Sequence, residues 1–191
     1  MKFIIEHLEN DLYSWCLIEY KHISKIVGKD HLIITNVKKR YVDSLKKFCR
    51  AETKSVLDLK LKNACLLDPK AKKVLTPKGA KNFDYFIFGG ILGDYPEQGR
   101  TRKYLTSRLN NAEVRSLGVK QMPTDNAVMV VKLITEGRKL SSIRFQDNIK
   151  IKTGNGKFNE EVILPFRYVV VNRRPLVSNE LIGYLKEKSR I

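Results

Sequence analysis

The sequence predicts an α/β protein with a mostly parallel sheet, helices on both faces and a β-rich segment after it. Three observations carry this reading. Short runs rich in β-branched and aromatic residues, at positions 2–6, 31–35, 64–67 and 84–88, are each long enough for one strand. Between them fall segments with apolar residues at helical spacing, and strands that alternate with helices favour parallel pairing. From Gly137 onward the pattern changes to short alternating pieces punctuated by turns, as in hairpins.

Residues 2–6 (KFIIE) form the first strand. Asn10 then precedes Leu12, Trp15, Cys16, Ile18, Tyr20, Ile23 and Ile26, an amphipathic helix that Gly28 stops. Residues 31–35 (HLIIT) are the next strand, and Asn36 is placed to cap a helix with Tyr41, Val42, Leu45 and Phe48 on one face. Residues 55–57 and 64–67 read as short β pieces. Thr76-Pro77 reads as a helix start, because the fixed φ of proline suits the first helical position. Residues 84–88 (DYFIF) are a buried strand, and 89–96 (GGILGDYP) follow with three glycines and a proline, a loop whose backbone must approach something closely.

Residues 101–109 read as helical, and 117–119 (LGV) make a second glycine loop. Thr124 is a candidate N-cap for a helix over 125–136, apolar around most of its circumference and therefore buried. Hairpin-like pieces at 142–145, 149–152, 161–164 and 166–171 flank a turn at Gly154-Asn155-Gly156, and Ser178 is placed to cap a short helix reaching Leu185. No repeat, heptad array or Gly/Ser-rich linker divides the chain. Residues 1–191 are thus read as one domain, with the central loops at about 84–136 and the β-rich tail at about 137–191.

Composition narrows the function. Thirty-seven Lys+Arg against 20 Asp+Glu give a formal charge of +17, and an apolar share of 42% is enough for a core, which excludes a disordered basic tail. The charge is uneven: residues 21–80 carry sixteen cations against five acids and residues 137–191 twelve against five, whereas residues 81–136 carry eight against six. A near-neutral centre with cationic flanks suits a protein whose middle does chemistry while its flanks grip phosphate, because cations on a polyanion gain from counterion release. Lys38, Lys39, Arg40, Lys46 and Lys47 are the candidate nucleic-acid-binding residues, and RNA or the ribosome is the expected partner.

No apolar run approaches the roughly 20 residues of a membrane span, and MKFIIEHLEND turns acidic early, unlike a signal peptide. The expectation is no membrane partner and a cytoplasmic location. Cys16, Cys49 and Cys65 form no C-x-x-C pair and His7, His22 and His31 are scattered, so neither disulfides nor a metal are expected; the cysteines read as small buried hydrophobes.

Familiar catalytic and nucleotide motifs are missing: there is no G-x-G-x-x-G, P-loop, G-x-S-x-G or H-E-x-x-H. Two glycine loops converging near a capped helix remain, either tight turns or a cradle for a ligand. The stretches FDYFIFGGILGDYPEQGRT, SLGVKQMPTDNAVMVVKLI and LPFRYVVVN, preceded by IIEHLE, WCLIEYKHIS and CLLDP, resemble SPOUT-class S-adenosylmethionine-dependent methyltransferases. The likeness is to the group containing a eukaryotic ribosomal-protein arginine methyltransferase and its archaeal relatives, and it runs over nearly the whole chain.

The resemblance implies a deep trefoil knot on the carboxyl side of the sheet, with S-adenosylmethionine held in the knot loops and no metal. Carried onto this sequence, Gly90, Leu92, Gly93 and Asp94 of the first loop would bind the cofactor, together with Leu117, Gly118, Gln121, Met122, Thr124 and Ala127 of the second. Glu97 and Asn126 depart from the residues commoner in the group, a proline and a threonine.

Methyl transfer from a sulfonium is an in-line displacement that needs a positioned nucleophile and the removal of one proton. Asp94 and Asp125 are the candidate catalytic carboxylates, with Glu97 behind them, and Arg100 is a candidate for positioning a phosphate or carboxylate. Asp125, in a first helical turn, would equally complement the helix dipole. The charge favours RNA, rRNA or tRNA, as acceptor. The alternative is an arginine of a ribosomal protein, which would need acidic partners among Asp94, Asp125, Glu6 and Glu19 for a guanidinium that stays protonated below about pH 12. A third reading is a non-catalytic RNA-binding or ribosome-assembly factor. Monomer and homodimer are both open.

Overall fold

The computed structural model describes residues 1–90, 93, 98–153 and 160–188. Six strands form one sheet: β1 (Lys2–His7), β2 (Leu32–Thr35), β3 (Arg50–Ala51), β4 (Ala64–Leu67), β5 (Tyr85–Gly90) and β6 (Ala112–Arg115). Their order is β3-β2-β1-β5-β4-β6, and every neighbouring pair is parallel. Parallel strands need crossovers that cover both faces, which is why the strands read as continuous apolar runs. Phe3, Ile5, Phe86 and Phe88 point to one face, covered by α1 (Ser14–Val27), α2 (Lys39–Leu45), α3 (Pro77–Ala80) and α4 (Thr124–Thr135). Ile4, Leu66 and Ile87 point to the other, covered by Val56, Leu105 and Leu109.

Several local expectations change. Residues 55–57 are not β: Val56–Asp58 form a 3-10 turn, capped by Ser55 Oγ, which accepts the Leu57 N–H at 3.2 Å. Asn36 does not cap α2. It sits at φ +60 and its side-chain amide donates to the His7 carbonyl at 2.8 Å, so it ties the turn after β2 to β1. The N-cap of α2 is Lys38, without a side-chain bond. Helix α1 begins at Ser14 rather than beside Asn10, and Gly28 ends it at φ +88 with its N–H on Ser24 O at 2.8 Å. The helix start read at Thr76-Pro77 is that of α3, which Thr76 also caps by accepting the Gly79 N–H at 3.1 Å, and Arg102–Thr106 form a π turn.

In the tail, β7 (Phe145–Lys152) and β8 (Glu161–Val171) make an antiparallel hairpin with an irregularity between Asp147 and Ile149, and β9 (Arg174–Pro175) extends it. The turn expected at 154–156 lies outside the described residues. Ser178 Oγ accepts the Leu181 N–H at 3.1 Å and opens α5 (Asn179–Lys188). Hairpin and α5 close around Ile149, Ile151, Leu164 and Leu181, with Ile18 of α1 in the same cluster, and Lys21 pairs with Glu180 at 2.8 Å. The three cysteines are buried and unpaired, and burial pushes each thiol up to about 12, which leaves them inert.

Gly90 closes β5 against β1. A Cβ there would lie 2.7 Å from Ile5 Cγ2, 2.7 Å from the Tyr20 hydroxyl and 3.0 Å from the Glu6 carbonyl. Gly90→Ala is expected to destabilise the protein by about 1–3 kcal/mol through overpacking, read as a lower urea midpoint. An unchanged midpoint would mean that α1 moves aside at no cost.

Candidate active site

Parallel strands deliver the loops at their carboxyl ends to one side of the sheet, and here β4, β5 and β6 open into a cleft of about 260 Å³. One half is built by Phe88 and Gly89 at the end of β5, Leu117 and Gly118 after β6, and Gln121 to Asp125 with Ala127 at the start of α4. The other half comes from Trp15, Ile18 and Glu19 of α1, Tyr168 of β8, Val177 just before α5 and Leu181 within it. Of the residues expected to bind the cofactor, Gly93, Leu117, Gly118, Gln121, Met122, Thr124 and Ala127 are thus brought to one cleft. Leu92 and Asp94, the latter also a candidate catalytic carboxylate, lie outside the described residues, as does Glu97. Gly90 is not in the cleft wall; its missing side chain serves the β5–β1–Tyr20 packing.

Backbone geometry explains two of the glycines that line it. A Cβ on Gly93 would lie 2.5 Å from Phe166 Cζ, and Gly118 turns at φ +96, a conformation that glycine adopts freely. The β7–β8 hairpin then fixes the second loop. Arg167 N–H donates to Gln121 O at 2.9 Å, and Lys120 pairs with Asp147, which also binds Arg167 at 2.9 Å. Those two cations hold the Asp147 carboxyl down at about 2.

The start of α4 corrects another expectation. Thr124 does not cap with its own side chain; Pro123 occupies the N-cap position, and the cap comes from α1, where Glu19 Oε1 accepts Thr124 N–H at 2.8 Å and lies 3.5 Å from Asp125 N. Glu19 is 8% exposed. Burial raises its carboxyl first, and the neighbouring Asp125 charge second, to about 8, against the pull of the two N–H groups.

Asp125 is held on both oxygens. Oδ1 accepts from Asn126 N–H at 2.7 Å and Asn126 Nδ2 at 2.9 Å, and Oδ2 lies 2.7 Å from His22 Nδ1. Asn126 is fully buried, donates also to Leu176 O at 3.1 Å, and accepts Val169 N–H at 2.8 Å. Two acids therefore face one cleft, each oriented by elements far apart in sequence. Arg100 lines the cleft too, paired with Glu9 at 3.0 Å. Glu6 is elsewhere: it accepts from Thr35, Ser55 and Val56 N–H and locks the ends of β1 and β2.

The family described as Protein arginine N-methyltransferase SFM1-like matches residues 2–190. The chain belongs to this family. Protein arginine N-methyltransferase SFM1 of Saccharomyces cerevisiae is 36% identical to it over 208 aligned positions, spanning 99% of this chain and 96% of the yeast protein. The crystal structure of yeast SFM1 complexed with SAM matches with a TM-score of 0.87 at 34% identity, over 100% of this chain and 92% of that one. The crystal structure of a dual specific Trm10 from Thermococcus kodakaraensis, 17% identical over 73% of this chain and 95% of its own, shares the fold at a TM-score of 0.55. The architecture is that of the SPOUT class expected from the sequence, parallel sheet and β-rich tail included.

In this SFM1-like chain the five candidate RNA-gripping residues sit away from the cleft. Lys38, Lys39, Arg40, Lys46 and Lys47 lie on or beside α2 at the β3 edge of the sheet, opposite the β6 edge. Arg40 is held by both oxygens of Asp11 at 2.9 and 3.0 Å, and Lys46 by Asp43 at 3.0 Å. Sequence reasoning also passed over two side chains. His22 read as one of three scattered histidines and Trp15 as helix core; the signal available was their spacing from Glu19, since positions 15, 19 and 22 share one stripe of α1.

Proposed function

We propose that this SFM1-like chain methylates an arginine side chain of a protein, with S-adenosylmethionine as donor. Enzyme class and donor come with the family; the acceptor rests on the Glu19–Asp125 pair, buried at the seam between the two halves of the cleft. Two buried acids suit a cation, whose charge favours the ionised form of both, and disfavour a phosphate, which would add to the negative charge already there. The donor fits the first half, where main chain at Gly89 and Gly118 lies open and Leu117 and Met122 offer apolar walls. S-adenosylmethionine, when bound, supplies an electrophilic methyl group on a sulfonium.

The protein's part is to orient and to take a proton. A guanidinium between Glu19 and Asp125 offsets the charge and desolvation that keep Glu19 protonated, and so readies it as the base for the proton released from nitrogen. Asp125, fixed by His22 and Asn126, orients the cation from its other side. The basic flanks fit an acceptor presented on RNA: they repel a free basic protein, but not one seated among phosphates.

Incubation with methyl-labelled S-adenosylmethionine, ribosomes and bulk RNA from the source cell tests this. The label should survive nuclease, be lost to protease and appear as methylarginine on acid hydrolysis. Label released by nuclease would replace the arginine reading with the RNA one.

A further inference from the structure

We propose that Trp15 and Glu19 form a guanidinium-recognition wall, in which the indole face stacks on the planar cation of the acceptor while the carboxylate accepts its N–H groups. The inference rests on the arginine reading above and says which residue selects the acceptor.

Trp15 and Glu19 are one helical turn apart on α1 and both line the cleft. They belong to the half of the cleft built by α1 and α5, with Glu19 at the seam, where it accepts the Thr124 N–H, and Trp15 one turn farther from the second loop. Trp15 is also held in one attitude. Its ring meets Tyr184 of α5 edge-on, centroids 6.3 Å apart at 79°, and it stays partly exposed.

What marks it out is an absence of internal company. In this cationic protein the rings of Tyr41, Phe83, Tyr104, Phe145 and Tyr184 each have a Lys or Arg over them. Among the described residues none stands over Trp15, although tryptophan is the strongest partner for a cation. Of the three cations that line the cleft, Arg100 is engaged with Glu9 and Lys120 with Asp147, and the third, Arg102, is not over the indole. A stacked indole prefers the delocalised plane of guanidinium to a compact, strongly hydrated ammonium, which would separate arginine from lysine.

The test is steady-state kinetics of Trp15→Leu and Trp15→Phe with a ribosomal-protein fraction as acceptor. Trp15→Leu should raise KM for the acceptor tenfold or more and leave KM for S-adenosylmethionine unchanged, whereas Trp15→Phe should stay within threefold of the parent. An unchanged acceptor KM, or a rise in the donor KM instead, overturns the wall. Because Trp15 is the one tryptophan of the chain, the unaltered protein gives a second reading that does not depend on a variant folding. A capped Gly-Arg-Gly peptide should change its emission saturably and the citrulline counterpart should not; equal responses, or none, overturn the proposal. If the parent enzyme yields no methylarginine at all, it is the acceptor reading that has failed.

Discussion

Glu19→Gln is expected to lower methyl transfer a hundredfold or more while leaving the protein folded, and at alkaline pH the variant should withstand heat better than the parent. The first effect is the loss of the proton acceptor, a contribution of typically 10²–10⁴ in rate. The second follows from the burial of the acid. The glutamine carbonyl still accepts the Thr124 N–H, so the cap of α4 persists. In the parent, the folded protein holds the Glu19 proton up to about 8, against 4.5 ordinarily, so the unfolded chain releases it more readily. The stability tied to the neutral acid is full below pH 4.5 and is lost as pH rises through about 8. Glutamine has no proton to lose, so the two thermal midpoints should separate between about pH 5 and pH 9. A constant difference across that range would show that the buried acid is not its source. For the parent, kcat/KM should rise toward pH 8 on the same titration.

Asn126→Leu should lower stability by about 3–5 kcal/mol, seen as a shifted midpoint in chemical denaturation. The side chain is fully buried and serves Asp125, Leu176 O and Val169 N–H at once. Leucine fills the space but leaves a buried donor and a buried acceptor without partners, each costing about 1–3 kcal/mol. A shift under about 1 kcal/mol would mean that water enters to replace the amide.

What the sequence disclosed and what it withheld divide along one physical line. Features set by neighbours in the chain were legible: the apolar runs of β1, β2, β4 and β5, the stop at Gly28, the helix start at Thr76-Pro77 and the cap at Ser178. Strands β3 and β6 were not, because two residues (RA) and a half-polar four (AEVR) at the sheet edges carry no pattern of their own. Thr124 was placed correctly at the head of α4, but the group that satisfies its backbone comes from Glu19, 105 residues earlier, and nothing local announces that. The close approach expected of the first glycine loop is seen at Gly90, where Ile5 and Tyr20 leave no room for a side chain. The charge count pointed to RNA, while the two acids that bear on the acceptor are a small minority of the charge and become a pair only in space.

The supports of the cleft come from distant parts of the chain, and this bears on when the enzyme acquires activity. Glu19 waits for Thr124, Asn126 for Leu176 fifty residues later, and Lys21 for Glu180 at a separation of 159. Contacts of that range form slowly, since a large loop must close before any is made. During vectorial synthesis at about 5–20 residues per second, the strands and α1 are available seconds before the hairpin and α5 that steady the second loop. A nascent chain that has emerged only through α4 holds both acids but lacks the Val169 and Leu176 contacts that fix Asn126, so competence waits for the hairpin and the segment after it.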